Sequence, residues 1–192
     1  MGPDRDGTRD EIMDAVFTAL CERGYSDLTM QDIADELGKS KSLIHYHYDT
    51  KDELMDAFLE HITDRMGSAF EGLDGETATE RLCNAVKDIL FEMDDEGGKN
   101  VHRALIELRS VAPYRDGYPA RFRKIEQSTR EQMAAIIREG IENGEFDVDD
   151  PEMAADLVYE AFHGLIIEKV TSRFQEPMRE KKIRPYIEMM LK

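Results

Sequence analysis

The chain has 192 residues, with 25 Lys and Arg against 42 Asp and Glu, a net charge of −17, and 41% hydrophobic residues. At roughly 100–200 residues per domain this is one domain, or one plus a small module, and it is long enough to bury a core. The apolar fraction with 8% aromatics excludes a disordered chain, and 13 Gly with 6 Pro exclude a fibrous or low-complexity one.

Apolar residues recur at helical spacing almost throughout, so the expected fold class is all-α, with about nine helices. Breaks are expected at Gly24, Gly38, Asp49, Gly72 to Gly75, Asp94 to Gly98, Pro113 to Pro119, Asn143 to Pro151 and Glu176 to Pro177. Thr8 with Glu11 reads as a capping box, followed by one stripe of Ile12, Ala15, Val16, Ala19 and Leu20 that ends at Gly24. Thr29 with Asp32 caps a short helix carrying Ile33, Ala34 and Leu37, which Gly38 stops. Ser40 is expected to cap a third helix, Lys41 to His47 or Tyr48, and Thr50 with Glu53 starts a long fourth. Two short helices joined by a Gly-containing turn form a helix-turn-helix pattern.

With Ile44 set inward at ~100° per residue, Ser42 and Tyr46 point outward, Leu43 and His45 flank them, and Lys41 lies in the first turn. These side chains suit a major groove: Lys for guanine O6 and N7, Ser as donor or acceptor, Leu for a thymine methyl, Tyr and His for bases or phosphates. Thr29, His47 and Lys51 stand at the surrounding helix ends, where they are expected to hold phosphates. From Gly38 to Lys51 three lysines face the single carboxylate Asp49, a local excess of cation in an acidic chain. His45 and His47 diverge by about 200° on a helix, so no metal is expected there.

These residues carry a resemblance. Gly24-Tyr25, Leu28 to Ala34, Leu37 to Ser42 and Lys51 to Leu54 are similar to the DNA-binding region of the TetR (tetracycline-repressor-type) transcriptional regulators, over residues 8 to 59. The resemblance implies base-side contacts for Gln31, Lys41, Ser42, Leu43, His45 and Tyr46, and phosphate contacts for Thr29, His47 and Lys51. This sequence departs from the family in placing His45 and His47 where tyrosine is usual, and Leu43 where a small hydroxyl residue is usual. The implied organisation is a helix-turn-helix DNA-binding domain at 1–52 and an effector-binding and dimerisation domain at 53–192.

In the second part, the family's effector cavity implies that Met66, Phe70, Phe91, His102, Leu105, Arg109, Tyr118 and Phe122 line a pocket for a small molecule. From Pro151 onward, Ala154, Leu157, Val158, Ala161, Phe162, Leu165 and Ile166 form a broad apolar stripe. The resemblance implies that this helix and the last, around Ile183 to Leu191, build a four-helix dimer interface through Leu157, Val158, Ala161, Phe162, Leu165 and Ile166.

The expected function is a ligand-responsive repressor that binds a palindromic DNA operator as a homodimer. A ligand-carrier or protein-interaction module that keeps the fold without operator binding is the alternative, motivated by the charge. No G-x-S-x-G, G-x-x-x-x-G-K or H-E-x-x-H sequence occurs, so neither an enzyme nor a cofactor is expected. Cys21 and Cys83 lack zinc or disulfide spacing, no run of ~18 apolar residues occurs, and the first six residues make no targeting signal, so a cytoplasmic protein without a membrane partner is expected. The acidic, lysine-poor composition, with 15 Arg against 10 Lys, resembles that of proteins in concentrated intracellular salt, and a halophilic source is expected from it.

Overall fold

The computed structural model describes residues 5–70, 72–88, 101–171 and 180–192. Among them are nine α-helices and no strand: α1 (Arg5–Arg23), α2 (Met30–Leu37), α3 (Lys41–His47), α4 (Lys51–Ala69), α5 (Ala78–Lys87), α6 (Val101–Val111), α7 (Tyr118–Glu142), α8 (Pro151–Thr171) and α9 (Glu180–Leu191). A 3₁₀ turn, Ala112–Tyr114, follows α6. No helix among the described residues is long and apolar enough to cross a membrane.

The helices fall into two compact units, one drawn from residues 1–62 and 94–122, the other from 63–93 and 123–192. The first unit thus runs past residue 52 and takes in α6.

In the first unit the α1 stripe is buried as its spacing predicts: Ile12, Val16, Ala19 and Leu20 are almost wholly covered, as are Ile33, Ala34 and Ile44 of the helix pair. The caps show which local signals were decisive. Thr29 and Asp32 form a reciprocal capping box, and Gly38 closes α2 at φ 66°, a left-handed conformation that glycine adopts without strain. Thr50 Oγ1 accepts from the Glu53 N–H while the Glu53 carboxylate accepts from the Asp49 N–H. Two expected caps differ. The first helix begins at Arg5, so Thr8 lies within it, because a Thr-x-x-Glu spacing fits a helix interior as well as its start. Ser40 occupies the N-cap position of α3, yet its hydroxyl makes no capping bond.

The second unit is built around Leu82, Val86, Met133, Ile137, Ala155, Val158, Ile183 and Ile187, contributed by α5, α7, α8 and α9. Its least obvious support is Glu145, whose carboxylate accepts from the Ala78 N–H, the Thr79 N–H and the Thr79 hydroxyl and so neutralises the N-terminus of α5. Burial alone would raise the pKa of this carboxyl, but the three donors hold it below the usual carboxylate value. Its stabilising contribution is therefore complete above the unfolded carboxyl pKa of about 4.3 and fades as pH falls through the lower folded value. Glu145→Ala is expected to cost about 1–2 kcal/mol at neutral pH. Urea unfolding of the variant beside the wild type checks this, and the difference should shrink in acid.

Candidate nucleic-acid interface

The third helix is seven residues long and presents the face its sequence predicts. Ile44 is wholly buried, Lys41, Ser42, His45 and Tyr46 are exposed, and Leu43 and His47 are half-buried. Tyr46 stands 69% exposed, unusual for a tyrosine on a folded surface, and its ring meets His47 edge-on at 5.2 Å. On the other side His47 lies 6.3 Å from the ring of Tyr48, which is buried. The adjacent Gln31 is exposed on the first turn of α2, its amide donating to Asp35.

Two of the expected phosphate contacts are differently employed. The Thr29 hydroxyl donates to Asp32 and accepts from the Asp32 N–H, and the Thr29 N–H also donates to Asp32, so the residue has no donor left for a phosphate. These bonds, with Arg23 at 3.3 Å, hold the Asp32 carboxyl below its usual value. The Lys51 ammonium donates to the main-chain carbonyls of Tyr25 and Leu28, both at 2.6 Å, and sits 4.3 Å from the centre of the Tyr25 ring. Burial lowers its pKa. Lys51 thus holds the α1–α2 loop, because the carbonyls at that turn need a donor and the half-buried ammonium needs acceptors. Lys39 is likewise taken, by an ion pair with Glu11.

The same loop is held from a part of the chain that local sequence reasoning could not connect to it. The Tyr25 N–H donates to the Glu107 carboxylate of α6 at 2.7 Å, and that carboxylate occupies the space a Cβ at Gly24 would need. Asp52 accepts from the Tyr25 hydroxyl and pairs with Arg115 at 3.2 Å. Arg121 grips Asp56 through two nitrogens, at 3.1 and 2.9 Å, and Glu60 through the third. Glu107 stands 82 positions from Tyr25, and no spacing in the sequence announces that contact.

The expected effector residues are distributed over both units. In the first, His102, Tyr118 and Phe122 are buried, Leu105 is half-buried, and the Arg109 guanidinium lies 5.5 Å from the centre of the Phe122 ring. Tyr118 belongs with the loop network: it is wholly buried, and burial together with its neighbour Tyr25 raises its pKa. Phe70 packs half-buried against the core of the second unit. Met66 falls on α4 without a described side chain, and Phe91 lies outside the described residues.

On α8 the broad apolar stripe divides into two faces. Val158 and Phe162 are buried in the core of their own unit, 0% and 3% exposed. Leu157 and Ala161 are exposed, Leu165 and Ile166 half-buried, and the outward row continues through Met153, Gly164 and Ile167. The last helix adds exposed Tyr186 and Met189. On α8 the steps of four, four, three and three from Met153 through Leu157, Ala161 and Gly164 to Ile167 carry this outward row, which reading the stripe as a single face overlooks.

Comparison with known proteins matches this geometry. Residues 12–58 match the model of bacterial regulatory proteins of the tetR family, and residues 119–185 match a tetracyclin repressor-like C-terminal domain. A TetR transcription regulator from Haloarcula marismortui is 32% identical and superposes with a TM-score of 0.82, over 97% of each chain. The HTH-type transcriptional repressor KstR2 of Mycobacterium tuberculosis is 28% identical over 156 residues, 79% of this chain and 74% of that one. A TetR-family regulator structure from Rhodococcus, at 24% identity and TM-score 0.79, shares the fold. An exposed recognition helix behind a capped α2, together with these likenesses across nearly the whole chain, makes the protein a member of the TetR family and a DNA-binding transcriptional regulator.

Proposed function

We propose that the protein is a ligand-responsive repressor that binds a palindromic operator as a homodimer in the cytoplasm. The observation that carries this reading is the face of α3. Lys41, Ser42, His45 and Tyr46 project from a short helix whose opposite side is locked into the core, which suits insertion into a major groove. Lys41, Ser42, Leu43, His45, Tyr46 and Gln31 are assigned to base edges and His47 to phosphate. The outward row of α8 and α9 is assigned to the partner protomer, since two recognition helices must reach successive major grooves about 34–36 Å apart. The network that ties Tyr25 to Lys51, to Glu107 and, through Asp52, to Arg115 offers a route by which a bound small molecule alters the helix-turn-helix. The acidic, lysine-poor composition supports a salt-rich cell interior.

The net charge of −17 favours the alternative, a carrier that keeps the fold without binding DNA, and one experiment separates the two. Fluorescence anisotropy against the DNA upstream of the protein's own gene, in about molar KCl, should reveal sequence-specific binding by the wild type. Lys41→Ala and Tyr46→Ala should each weaken it by roughly 1–3 kcal/mol while leaving the melting temperature nearly unchanged. Wild-type affinity in both variants would remove α3 as the reader.

A further inference from the structure

The module that meets DNA is short of usable cations. Between Thr8 and Glu53 the chain carries five Lys and Arg against eleven Asp and Glu. Lys39 is paired with Glu11, Arg23 with Asp32 and Arg9 with Glu60, while Lys51 is held by two carbonyls. Among the described residues this leaves Lys41 as the cation of the module not held by a carboxylate or carbonyl. On the same helix stand two imidazoles, His45, exposed, and His47, half-buried, with ring centres 5.2 Å from Tyr46 and 6.3 Å from Tyr48.

From this arrangement we propose that operator binding is coupled to proton uptake at His45 and His47, so that a fall in pH through the histidine range tightens it. The proposal rests on the reading of α3 as the DNA-contacting helix.

Some charged groups on the elements packed against α3 have partners of their own, and others do not. On α2, Asp32 is bound to Thr29 and Arg23, and Asp35 accepts from Gln31. At the start of α4, Asp52 pairs with Arg115, and Glu53 accepts from the Asp49 N–H. From α1, Arg9 stands beside Tyr48 and Glu60. Glu36 of α2 and Asp49 remain as exposed carboxylates, and they add to the field that favours the imidazolium form. In the free protein this field is diluted by solvent, whereas in the complex the dense phosphate charge of DNA is added to it. The imidazolium is therefore favoured more in the complex than in the free protein. By linkage, the species that binds more protons gains stability as pH falls, so affinity rises over the interval between the free and bound titrations. Above it both states are neutral and below it both are charged, and the affinity levels off. Tyrosine at these two positions would stay neutral across the whole range.

Calorimetric titration of the full-length protein with its operator duplex, in buffers of differing ionisation enthalpy, counts the protons directly. About one to four protons per dimer should be taken up near pH 6.5 and almost none at pH 8.5. Anisotropy at fixed salt should show Kd falling about tenfold or more between pH 7.5 and 6.0. The H45Q/H47Q double variant should lose the pH slope whatever its absolute affinity, with circular dichroism at each pH to verify folding. A wild-type complex that forms specifically but takes up no protons overturns the proposal, as does a folded double variant that keeps the slope. Absence of sequence-specific binding at every pH overturns the regulator reading itself, and the proposal with it.

Discussion

Replacing Leu157 by Glu is expected to convert the dimer into folded monomers and to weaken operator binding by about a hundredfold or more. Leu157 is 53% exposed in the single chain and lies in one row of α8 with Met153, Ala161, Gly164 and Ile167. A monomeric protein has little reason to expose so much apolar surface in one place. In a two-fold interface each substitution occurs twice, so two carboxylates would have to be desolvated without partners. Folding should survive, because the core of the same unit is formed by Val158, Phe162, Ile183 and Ile187 on the opposite side. Loss of the second half-site then removes the gain that comes from linking two recognition helices, a factor on the order of 10²–10⁴. Size-exclusion chromatography with light scattering reads the mass, and anisotropy the affinity. A folded dimer in the Leu157→Glu protein would move the interface to another surface. Phe162→Glu, by contrast, should unfold the second unit, since Phe162 is only 3% exposed.

The second large effect concerns salt. Ordinary DNA-binding proteins lose affinity as salt rises, with a log–log slope near −0.9 per phosphate neutralised, because counterions are released. Here Lys39 is paired with Glu11, and the groove of about 290 Å³ beside it is lined by Glu11, Asp14 and Glu36 as well as by Lys39. Repulsion between such carboxylates and phosphates dominates at low ionic strength. At about 1 M salt the screening length is only ~3 Å, and cations are taken up between the two sets of anions. Affinity is therefore expected to stay flat or to rise between roughly 0.2 and 2 M KCl, with specificity carried by base-edge contacts that salt screens little. Operator titrations across that range, at a pH above the histidine range and with circular dichroism at each point, test it. A steep fall of affinity by the folded protein would mean that the acidic surface is kept clear of the DNA and would count against a halophilic adaptation.

The helix-turn-helix was readable from residues alone because its signals are local. A capping box at Thr29 and Asp32, a left-handed glycine at Gly38 and the inward spacing of Ile33, Ala34 and Ile44 each act within a few positions. Each is satisfied by the backbone they define, so the exposed face of α3 followed without any knowledge of the remaining chain. The all-helical class followed in the same way from periodicity along α4 to α9. Where a local pattern had two solutions, only packing chose between them. Thr8 and Glu11 fit a cap and a helix interior equally well, and the helix extends to Arg5. The apolar positions of α8 cover more than half its circumference, and it is contact with α5, α7 and α9 that turns Val158 and Phe162 inward and leaves Leu157 and Ile167 outside. Lys51 looked like a phosphate ligand because a lysine at a helix start is free in sequence. In the fold, two carbonyls of the α1–α2 loop stand 2.6 Å from its ammonium. The contact between Tyr25 and Glu107 depends on closing 82 residues of chain, so it carries no local signature, and it exists because the buried N–H after Gly24 requires an acceptor that only α6 brings within reach.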